Sequence, residues 1–370
     1  MTKLACIDLF CGAGGLTHGL ISEGVPVVAG IDVDPACRHP FETNNGARFI
    51  EEDVSRTKPA VLKNLFGDAD IRILAGCAPC QPFSTYAQRY DTVGSPRWAL
   101  LYEFARLVKA VRPDIVTMEN VPTVEKHTVY DDFVTALEKY GYRVWHGVVD
   151  CSDYGLPQRR RRMVLLASRI GPIELIERTH ERPQTVHEAI GRLPPIPAGG
   201  ALPSDPLHTA SKLSRLNLER IRASRPGGTW RDWPKRLIAE CHRRDSGQTY
   251  PGVYGRMVWG EPAPTLTTQF YGFGNGRFGH PEQDRGISLR EGAILQGFPD
   301  SYCFVPNNAP IHFKALGRMI GNAVPVTLGK IIGRSILRHL AIEPETKTVD
   351  ETAQAVAERG RHAKREPLVA

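Results

Sequence analysis

The sequence predicts an α/β fold: a parallel sheet with its chemistry at one edge, followed by a smaller and less regular domain. Apolar runs at 4–10, 27–31 and 71–75 have the length and composition of buried strands in such a sheet. The first run leads into a glycine loop, and the third into a loop that carries Cys80 between prolines. A proline- and glycine-rich stretch at 172–206 then predicts the passage into the second domain.

The composition is that of an ordinary globular protein, and 370 residues allow one large domain or two modest ones. The formal net charge of +7 favours a polyanionic partner such as DNA. Eight cysteines in a chain of this length do not make a disulfide scaffold. With no N-terminal signal and no apolar run of bilayer length, we expect a protein of the reducing cytoplasm.

The loop after the first strand predicts a nucleotide-type site. Its glycines allow a tight turn and close approach to a ligand, and residues 16–23 predict a helix that begins at the loop. The glycine spacing from Gly12 to Gly19 does not match GxGxxG, which argues against a dinucleotide. An ordinary tight turn explains the glycines equally well at this point.

Carboxylates follow the next two strands. The second strand ends in Asp32-Val33-Asp34, where a carboxylate can accept the hydroxyls of a ribose. An unrelated surface aspartate is the alternative. Residues 49–54 predict the end of a third strand and place Asp53 at the same edge of the sheet.

Cys80 lies on a stiff loop at the carboxyl end of the strand 71–75. The prolines at 79 and 82 cannot continue a helix or donate to a ladder, and open α/β sheets place their chemistry at this edge. A thiolate here would be a nucleophile. Cys77 and Cys80 could instead form a redox dithiol, or be small buried hydrophobes. No second CxxC accompanies them, so we expect no metal site.

A glutamate and a run of arginines follow two later strands. Residues 88–97 predict a loop, and the strand 114–118 ends in Glu119-Asn120-Val121. Arginines occupy positions 159–162, which would normally be a solvated basic face. If 163–167 is a strand, alternation turns Arg160 and Arg162 towards the site and their two neighbours away from it.

Weaker patterns describe the second domain and the C-terminus. Helices are predicted at 98–111, 132–140, 211–221, 233–243 and 325–340, a strand at 143–149, and short β segments at 256–259 and 263–268. Ser288 and Glu291 have the spacing of a capping box at the start of a helix, 288–296. The polar, charged segment 343–370 has little to bury, and we expect it to be disordered.

Six sequence blocks follow one another along the chain: Asp8-Leu-Phe-Cys-Gly-Ala-Gly-Gly15, Pro79-Cys80-Gln81, Glu119-Asn-Val121, Gln158 to Arg162, Arg290-Glu291 with Leu295-Gln-Gly-Phe-Pro299, and Gly321-Asn-Ala-Val324. In this order they resemble the motifs of the DNA (cytosine-5) methyltransferases, and the compact chain resembles the bacterial members. Each block alone would be weak evidence, but together they are specific and cover most of the chain up to about residue 340.

The resemblance implies a Rossmann-like domain that depends on S-adenosylmethionine, with a target-recognition domain beside it. The expected boundaries are 1–178 for the catalytic and cofactor-binding domain, 179–310 for target recognition, and 311–342 for the return to the catalytic domain. The implied partner is double-stranded DNA. A restriction endonuclease acting on the same site without a stable complex is also expected, and the enzyme itself is expected to be a monomer.

The resemblance also assigns roles at the reacting base. Cys80 is the implied nucleophile towards carbon 6 of a flipped-out cytosine. Glu119 would be protonated near ring nitrogen 3 and the exocyclic amine. Arg160 would hold the base and help the thiolate, and Arg162 would support the same pocket.

Further residues are implied to bind the cofactor and the DNA. Asp32 should contact the ribose, Val33 should pack on the adenine and Asp53 should contact the adenine amine. The complete cofactor set is Phe10, Gly12, Gly14, Gly15, Leu16, Asp32, Val33, Asp53, Val54, Pro79, Asn322 and Val324. The DNA set is Gln81, Ser84, Gln158, Tyr271, Asn275 and Arg277, of which the last three lie in a glycine-rich stretch, 269–280.

Three alternatives stay open on the sequence. An RNA cytosine-5 methyltransferase would share these motifs, although that branch's Cys-Phe-Thr signature is absent before Arg290. A non-catalytic DNA-binding relative should lack Cys80, Glu119 or Arg160. A dithiol oxidoreductase would need Cys77 as much as Cys80, whereas the methyltransferase hypothesis predicts that Cys77 is dispensable for the chemistry.

Overall fold

A computed structural model describes residues 2–79, 99–306 and 308–341 of the chain. Several sequence predictions lie outside the described residues: Cys80, Gln81, Ser84, the loop at 88–97 and the tail at 343–370.

A seven-stranded sheet forms the centre of the fold. Its strands are β1 (Leu4–Leu9), β2 (Val27–Asp32), β3 (Arg48–Glu51), β4 (Ile71–Gly76), β5 (Ile115–Asn120), β6 (Arg143–Asp150) and β7 (Arg161–Ser168). The order across the sheet is β3-β2-β1-β4-β5-β7-β6, and β7 is antiparallel to both of its neighbours. The chain therefore runs outward from β1 in both directions, which opens a crevice at the carboxyl ends of β1 and β4. The predicted α/β fold is confirmed.

Helices cover both faces of the sheet. Those of the described residues are α1 (Gly15–Ser22), α2 (Arg38–Asn45), α3 (Pro59–Phe66), α4 (Ala99–Val111), α5 (Thr128–Lys139), α6 (Val186–Ile190), α7 (Arg215–Ala223), α8 (Leu289–Leu295), α9 (Phe313–Asn322) and α10 (Val326–His339). Helices α3, α4 and α5 bury Phe66, Phe104 and Phe133 on one face, while α1 and α10 bury Leu20 and Ile332 on the other. Within the described residues, no helix is long and apolar enough to cross a membrane.

Glycines bring α10 unusually close to α1. A Cβ on Gly19 would lie 2.4 Å from the carbonyl oxygen of Val326 and 2.6 Å from the Cα of Gly329. Only glycine permits such an approach of two helix backbones. The last helix is thereby seated on the first, and the turn between α9 and α10 lies against the glycine loop.

The segment between β7 and α9 is mostly irregular. The prediction of a helix at 211–221 is met in part by α7, but 233–243 forms only 3₁₀ turns at Lys235–Leu237 and Glu240–Arg243. The β segments predicted at 256–259 and 263–268 are wrong, because the backbone there forms isolated bridges and no ladder. The stretch 172–206 is more than a linker, since it contains α6 and the start of the hairpin β8 (Ala201–Leu202) and β9 (Asp205–Thr209).

The capping box predicted for α8 is confirmed. The Ser288 hydroxyl accepts from the backbone N–H of Glu291, and the Glu291 carboxylate accepts from that of Ser288. Both carboxylate oxygens of Glu291 also bind the guanidinium of Arg285 at 2.7 Å. The pair is fully buried, and it fixes the entry to α8 from the irregular segment.

Candidate active site

A cavity of about 280 Å³ lies at the carboxyl ends of β1, β2 and β4. Ten of the twelve predicted cofactor residues line it, namely Phe10, Gly12, Leu16, Asp32, Val33, Asp53, Val54, Pro79, Asn322 and Val324. The other two, Gly14 and Gly15, correct the prediction. Gly14 is the left-handed N-cap of α1, and a Cβ on Gly15 would lie 2.2 Å from the carbonyl oxygen of Val324. They shape and pack the loop and do not line the cavity.

Asp32 is held in place by backbone donors. Its carboxylate accepts from the N–H groups of Gly12 and Asp34, each at 2.9 Å. Burial raises the pKa of Asp32, and these donors oppose the shift. The neighbouring Val33 is 68% exposed, so an apolar side chain stands open at the edge of the cavity.

Asp53 is fixed from the other side of the cavity. Its carboxylate accepts from the N–H of Ser55 at 2.9 Å, and hydrogen bonding to Ser55 lowers the pKa of Asp53. Together, these carboxylates and the exposed valine offer hydrogen-bond acceptors around an apolar surface.

Asp8 is a cavity residue that the sequence analysis did not assign. Its Oδ2 accepts from the Thr17 hydroxyl at 2.7 Å, while its Oδ1 has no hydrogen-bond partner among the described residues. Burial raises the pKa of Asp8 to about 7. Its place near the carboxyl end of the first predicted strand was the available signal for a site residue. The apolar residues around it in the sequence indicated only a buried strand.

The register of the sheet brings Cys77 beside Glu119. Strands β4 and β5 pair Gly76 with Met118, so the next residue of each strand comes to the same level. The Cys77 thiol donates to Glu119 Oε2 at 2.7 Å, and Glu119 is only 3% exposed. Both side chains thus reach the crevice from adjacent strand ends.

Arg162 reaches the same carboxylate from the opposite side. Glu119 pairs with Val164 across β5 and β7, and Arg162 lies two residues away on the same face, within diagonal reach. Its Nε lies 2.7 Å from Glu119 Oε1. The predicted alternation is confirmed, because Arg160 and Arg162 turn inward while Arg159 and Arg161 are exposed.

The contacts of Arg160 and Arg162 differ from the roles that were expected for them. Arg160 was expected to hold the base, with Arg162 in support, but Arg162 is the arginine at Glu119. The guanidinium of Arg160 donates to the backbone carbonyls of Leu266 and Gly321 at 3.1 and 3.0 Å. Arg160 therefore ties the sheet to the irregular segment and to α9.

Gln158 is not a surface residue, which corrects its expected role in DNA binding. It is fully buried, and its amide donates to the carbonyl of Leu295 and to the side chain of Gln296. Its Oε1 accepts from the backbone N–H of Leu266 at 2.9 Å. All of these partners are internal, so Gln158 joins the sheet to α8.

Asn120 is a positioning residue that the sequence motif contained but did not explain. It is buried, and its amide donates to the carbonyl of Ala78 at 3.1 Å. Its Oδ1 accepts from the backbone N–H of Val121. Asn120 thus braces the backbone that leads to Pro79, the residue before Cys80.

The three recognition residues that the structure describes have different surroundings. Tyr271 packs on Phe313 at 5.3 Å between ring centroids, and Arg277 donates to the carbonyl of Gly228. Asn275 is exposed. Their contacts with DNA stay a prediction, and Arg277 is already engaged with its own chain.

The fold and the site define a class of protein: a Rossmann-like enzyme with a nucleotide-type cavity beside a buried carboxylate that a thiol and a guanidinium contact. A family model for C-5 cytosine-specific DNA methylases matches residues 4–338. The chain belongs to this family, and it is a DNA (cytosine-5-)-methyltransferase.

Individual relatives agree with this membership. The chain is 53% identical over 341 residues to the type II methylase M.HgiDII of Herpetosiphon aurantiacus, covering 91% of this chain and 96% of that protein. It is 30% identical over 344 residues to the type II methyltransferase M.Eco47II of Escherichia coli, covering 90% and 79%. A prophage-encoded protein of Escherichia coli, described as a DNA modification methyltransferase, shares the fold with a TM-score of 0.72, at 23% identity over 92% of this chain and all of that one.

Proposed function

We propose that the enzyme transfers a methyl group from S-adenosylmethionine to carbon 5 of cytosine within a specific duplex sequence. The transfer proceeds through a covalent adduct between Cys80 and a flipped-out base. The observation that carries the proposal is the adjacency of two sites. Cys77 and Pro79 line the nucleotide-type cavity, and Cys77 also binds the Glu119 carboxylate. A methyl donor and a base could therefore meet at this crevice.

The cavity residues fit S-adenosylmethionine. Asp32 is placed to accept the ribose hydroxyls, and Val33 offers an exposed apolar surface for the adenine. The buried Oδ1 of Asp8 has no hydrogen-bond partner among the described residues. An ammonium group beside it would donate a hydrogen bond and favour the ionised form of Asp8. When bound, the cofactor supplies an electrophilic methyl group. The chain's own task is to hold that group beside the base and to exclude water.

Cys80 and Glu119 divide the activation of the base. Carbon 5 of cytosine is a poor nucleophile until the Cys80 thiolate forms a bond to carbon 6. Protonated Glu119 gives a proton to ring nitrogen 3, so the ring electrons reach carbon 5 without a build-up of charge. After methylation, the proton on carbon 5 passes to a base such as water, the bond between sulfur and carbon 6 breaks to release the Cys80 thiolate, and ring nitrogen 3 returns its proton to Glu119. Arg162 keeps the Glu119 carboxyl in place throughout.

The base must leave the duplex before this chemistry, because Glu119 and Cys77 lie in a crevice and not on a protruding surface. Extrusion costs on the order of a few kcal/mol. Tyr271 and Asn275, together with Gln81 and Ser84, remain our candidates for holding the opened DNA. The type II relatives support pairing with a restriction endonuclease that acts on the same sequence. A monomer in the bacterial cytoplasm is the proposed setting.

Trapping with 5-fluorocytosine tests the covalent step. DNA fragments made with 5-fluoro-dCTP would be mixed with the enzyme and S-adenosylmethionine, then resolved on a denaturing gel. The wild-type protein should form an adduct, because fluorine cannot leave as a proton does. Cys80→Ala should bind the DNA without forming one. A wild-type protein that forms no adduct would count against attack by Cys80, and an adduct formed only with fluorinated RNA would favour the RNA alternative.

A further inference from the structure

We propose that Cys77 is a positioning residue for Glu119, and that its thiol fixes the carboxyl group at which the base is activated. The inference rests on the function proposed above. It assigns to Cys77 a part that neither the nucleophile Cys80 nor the arginines perform. It also revises the expectation that Cys77 is dispensable for the chemistry.

The backbone that carries the Cys77 thiol is fixed, because it continues the hydrogen bonding of the sheet. The N–H of Cys77 donates to the carbonyl of Leu9 at 3.2 Å, which continues the pairing of β4 with β1 past Gly76. A Cβ on Gly76 would lie 2.9 Å from the Phe104 ring, so Phe104 packs closely against this end of β4. The Sγ atom is therefore presented to Glu119 by a rigid support.

The thiol and Arg162 hold opposite oxygens of one carboxyl group. Arg162 Nε binds Oε1, and Cys77 Sγ binds Oε2, each at 2.7 Å. The last torsion of a glutamate is broad, so a single partner would leave the carboxyl plane free to turn. Two partners on two oxygens fix that plane.

Oε2 also keeps capacity for the substrate. A carboxyl oxygen offers two lone-pair sites, and the thiol occupies one of those on Oε2. Oε1 is committed to the guanidinium of Arg162. The geometry thus points to Oε2 as the atom that faces ring nitrogen 3, with Cys77 setting its direction.

The dithiol alternative makes the opposite prediction for the same residue. A redox partner of Cys80 needs sulfur at position 77, so Cys77→Ser would be as damaging as Cys80→Ser. A positioning donor needs only a short side chain with a proton to give, which serine provides. The two substitutions Cys77→Ser and Cys77→Ala therefore separate the hypotheses.

Single-turnover methylation with saturating DNA and cofactor measures the effect. Cys77→Ala should methylate about ten-fold more slowly, in line with the loss of one hydrogen bond. Its affinity for DNA should be unchanged. Cys77→Ser should stay within about two-fold of the wild type by the same argument. Cys303→Ala is the matched control, since Cys303 is also half-buried but its thiol donates to the carbonyl of Val305.

A double substitution tests whether Cys77 acts through Glu119. In a Glu119→Gln background, Cys77→Ala should cause little further loss, because the carboxylate that it positions is gone. The inference is overturned if Cys77→Ala reacts at the wild-type rate, if Cys77→Ser is as inactive as Cys80→Ser, or if the two losses simply multiply. A wild-type enzyme that produces no 5-methylcytosine would instead refute the proposed function.

Discussion

The catalytic edge of the sheet and the irregular segment between β7 and α9 are held by different kinds of bond. At the sheet edge, the backbone ladders set the register, and the register alone places Cys77, Glu119 and Arg162 together. In the irregular segment, buried side chains bind backbone carbonyls where no ladder exists. Arg256 is the main example, with donors to the carbonyls of Ile221, Ser224, His280 and Gln283 and to the carboxylate of Asp284.

Each region is therefore sensitive to a different kind of substitution. A sheet distributes its stability over many backbone bonds, so a change at a strand end alters chemistry more than folding. The irregular segment concentrates its order on a few buried charged groups, and their partners are left unsatisfied when one is removed.

The largest stability effect should come from Arg256→Met. The Arg256 side chain is nearly fully buried. Methionine keeps part of its volume but leaves the five acceptors of the guanidinium without a donor. We expect a loss of about 3–5 kcal/mol in the free energy of unfolding. Urea denaturation followed by tryptophan fluorescence reports it, because Trp230, Trp233 and Trp259 all lie in this segment.

Arg225→Met is the control for that substitution. Arg225 is an exposed arginine of the same segment and pairs with Asp232. Its loss should change the free energy of unfolding by no more than about 0.5 kcal/mol. Equal effects of the two substitutions would contradict the dependence of this segment on its buried charged groups.

Asp8→Asn should change how stability at the sheet edge depends on pH. Burial raises the pKa of Asp8 from 3.8 to about 7, so the folded chain keeps a proton that the unfolded chain releases. The associated stability is complete below pH 3.8 and is lost as the pH rises through 7. Relative to wild type, the variant should gain roughly 1–3 kcal/mol between pH 5 and 7.5, measured by urea unfolding. A constant difference across that range would contradict the buried, protonated acid.

His280→Gln should show the opposite slope in the irregular segment. Burial lowers the pKa of His280 from 6.5 to about 4, and its Nδ1 already accepts from the backbone N–H groups of Glu282 and Gln283. Neutral histidine therefore stabilises the fold above pH 6.5, and this stability is lost as the pH falls through 4. The wild type should lose roughly 1–3 kcal/mol more than the variant between pH 6.5 and 4. Parallel curves of stability against pH for wild type and variant would contradict a buried, neutral His280.

The same contrast explains how much of the molecule the sequence predicts. Apolar runs and strand-end motifs predicted the sheet, the glycine loop and most of the cavity residues, because those signals are local. Cys77 and Glu119 are 42 residues apart in the sequence, and their contact depends on the register of β4 with β5. The internal role of Gln158 depends on packing against α8, far away in the sequence. In the irregular segment, the order comes from arginines that look like surface residues in the sequence.

Base-resolution sequencing of 5-methylcytosine tests whether the enzyme methylates cytosine in DNA through Cys80. DNA would be taken from cells that express the wild-type chain or Cys80→Ala at matched levels. The proposed function predicts one short sequence motif methylated at carbon 5 of cytosine by the wild type and unmethylated in the variant. Absence of such a motif in both, or the same motif in both, would contradict cytosine-5 methylation of DNA through Cys80.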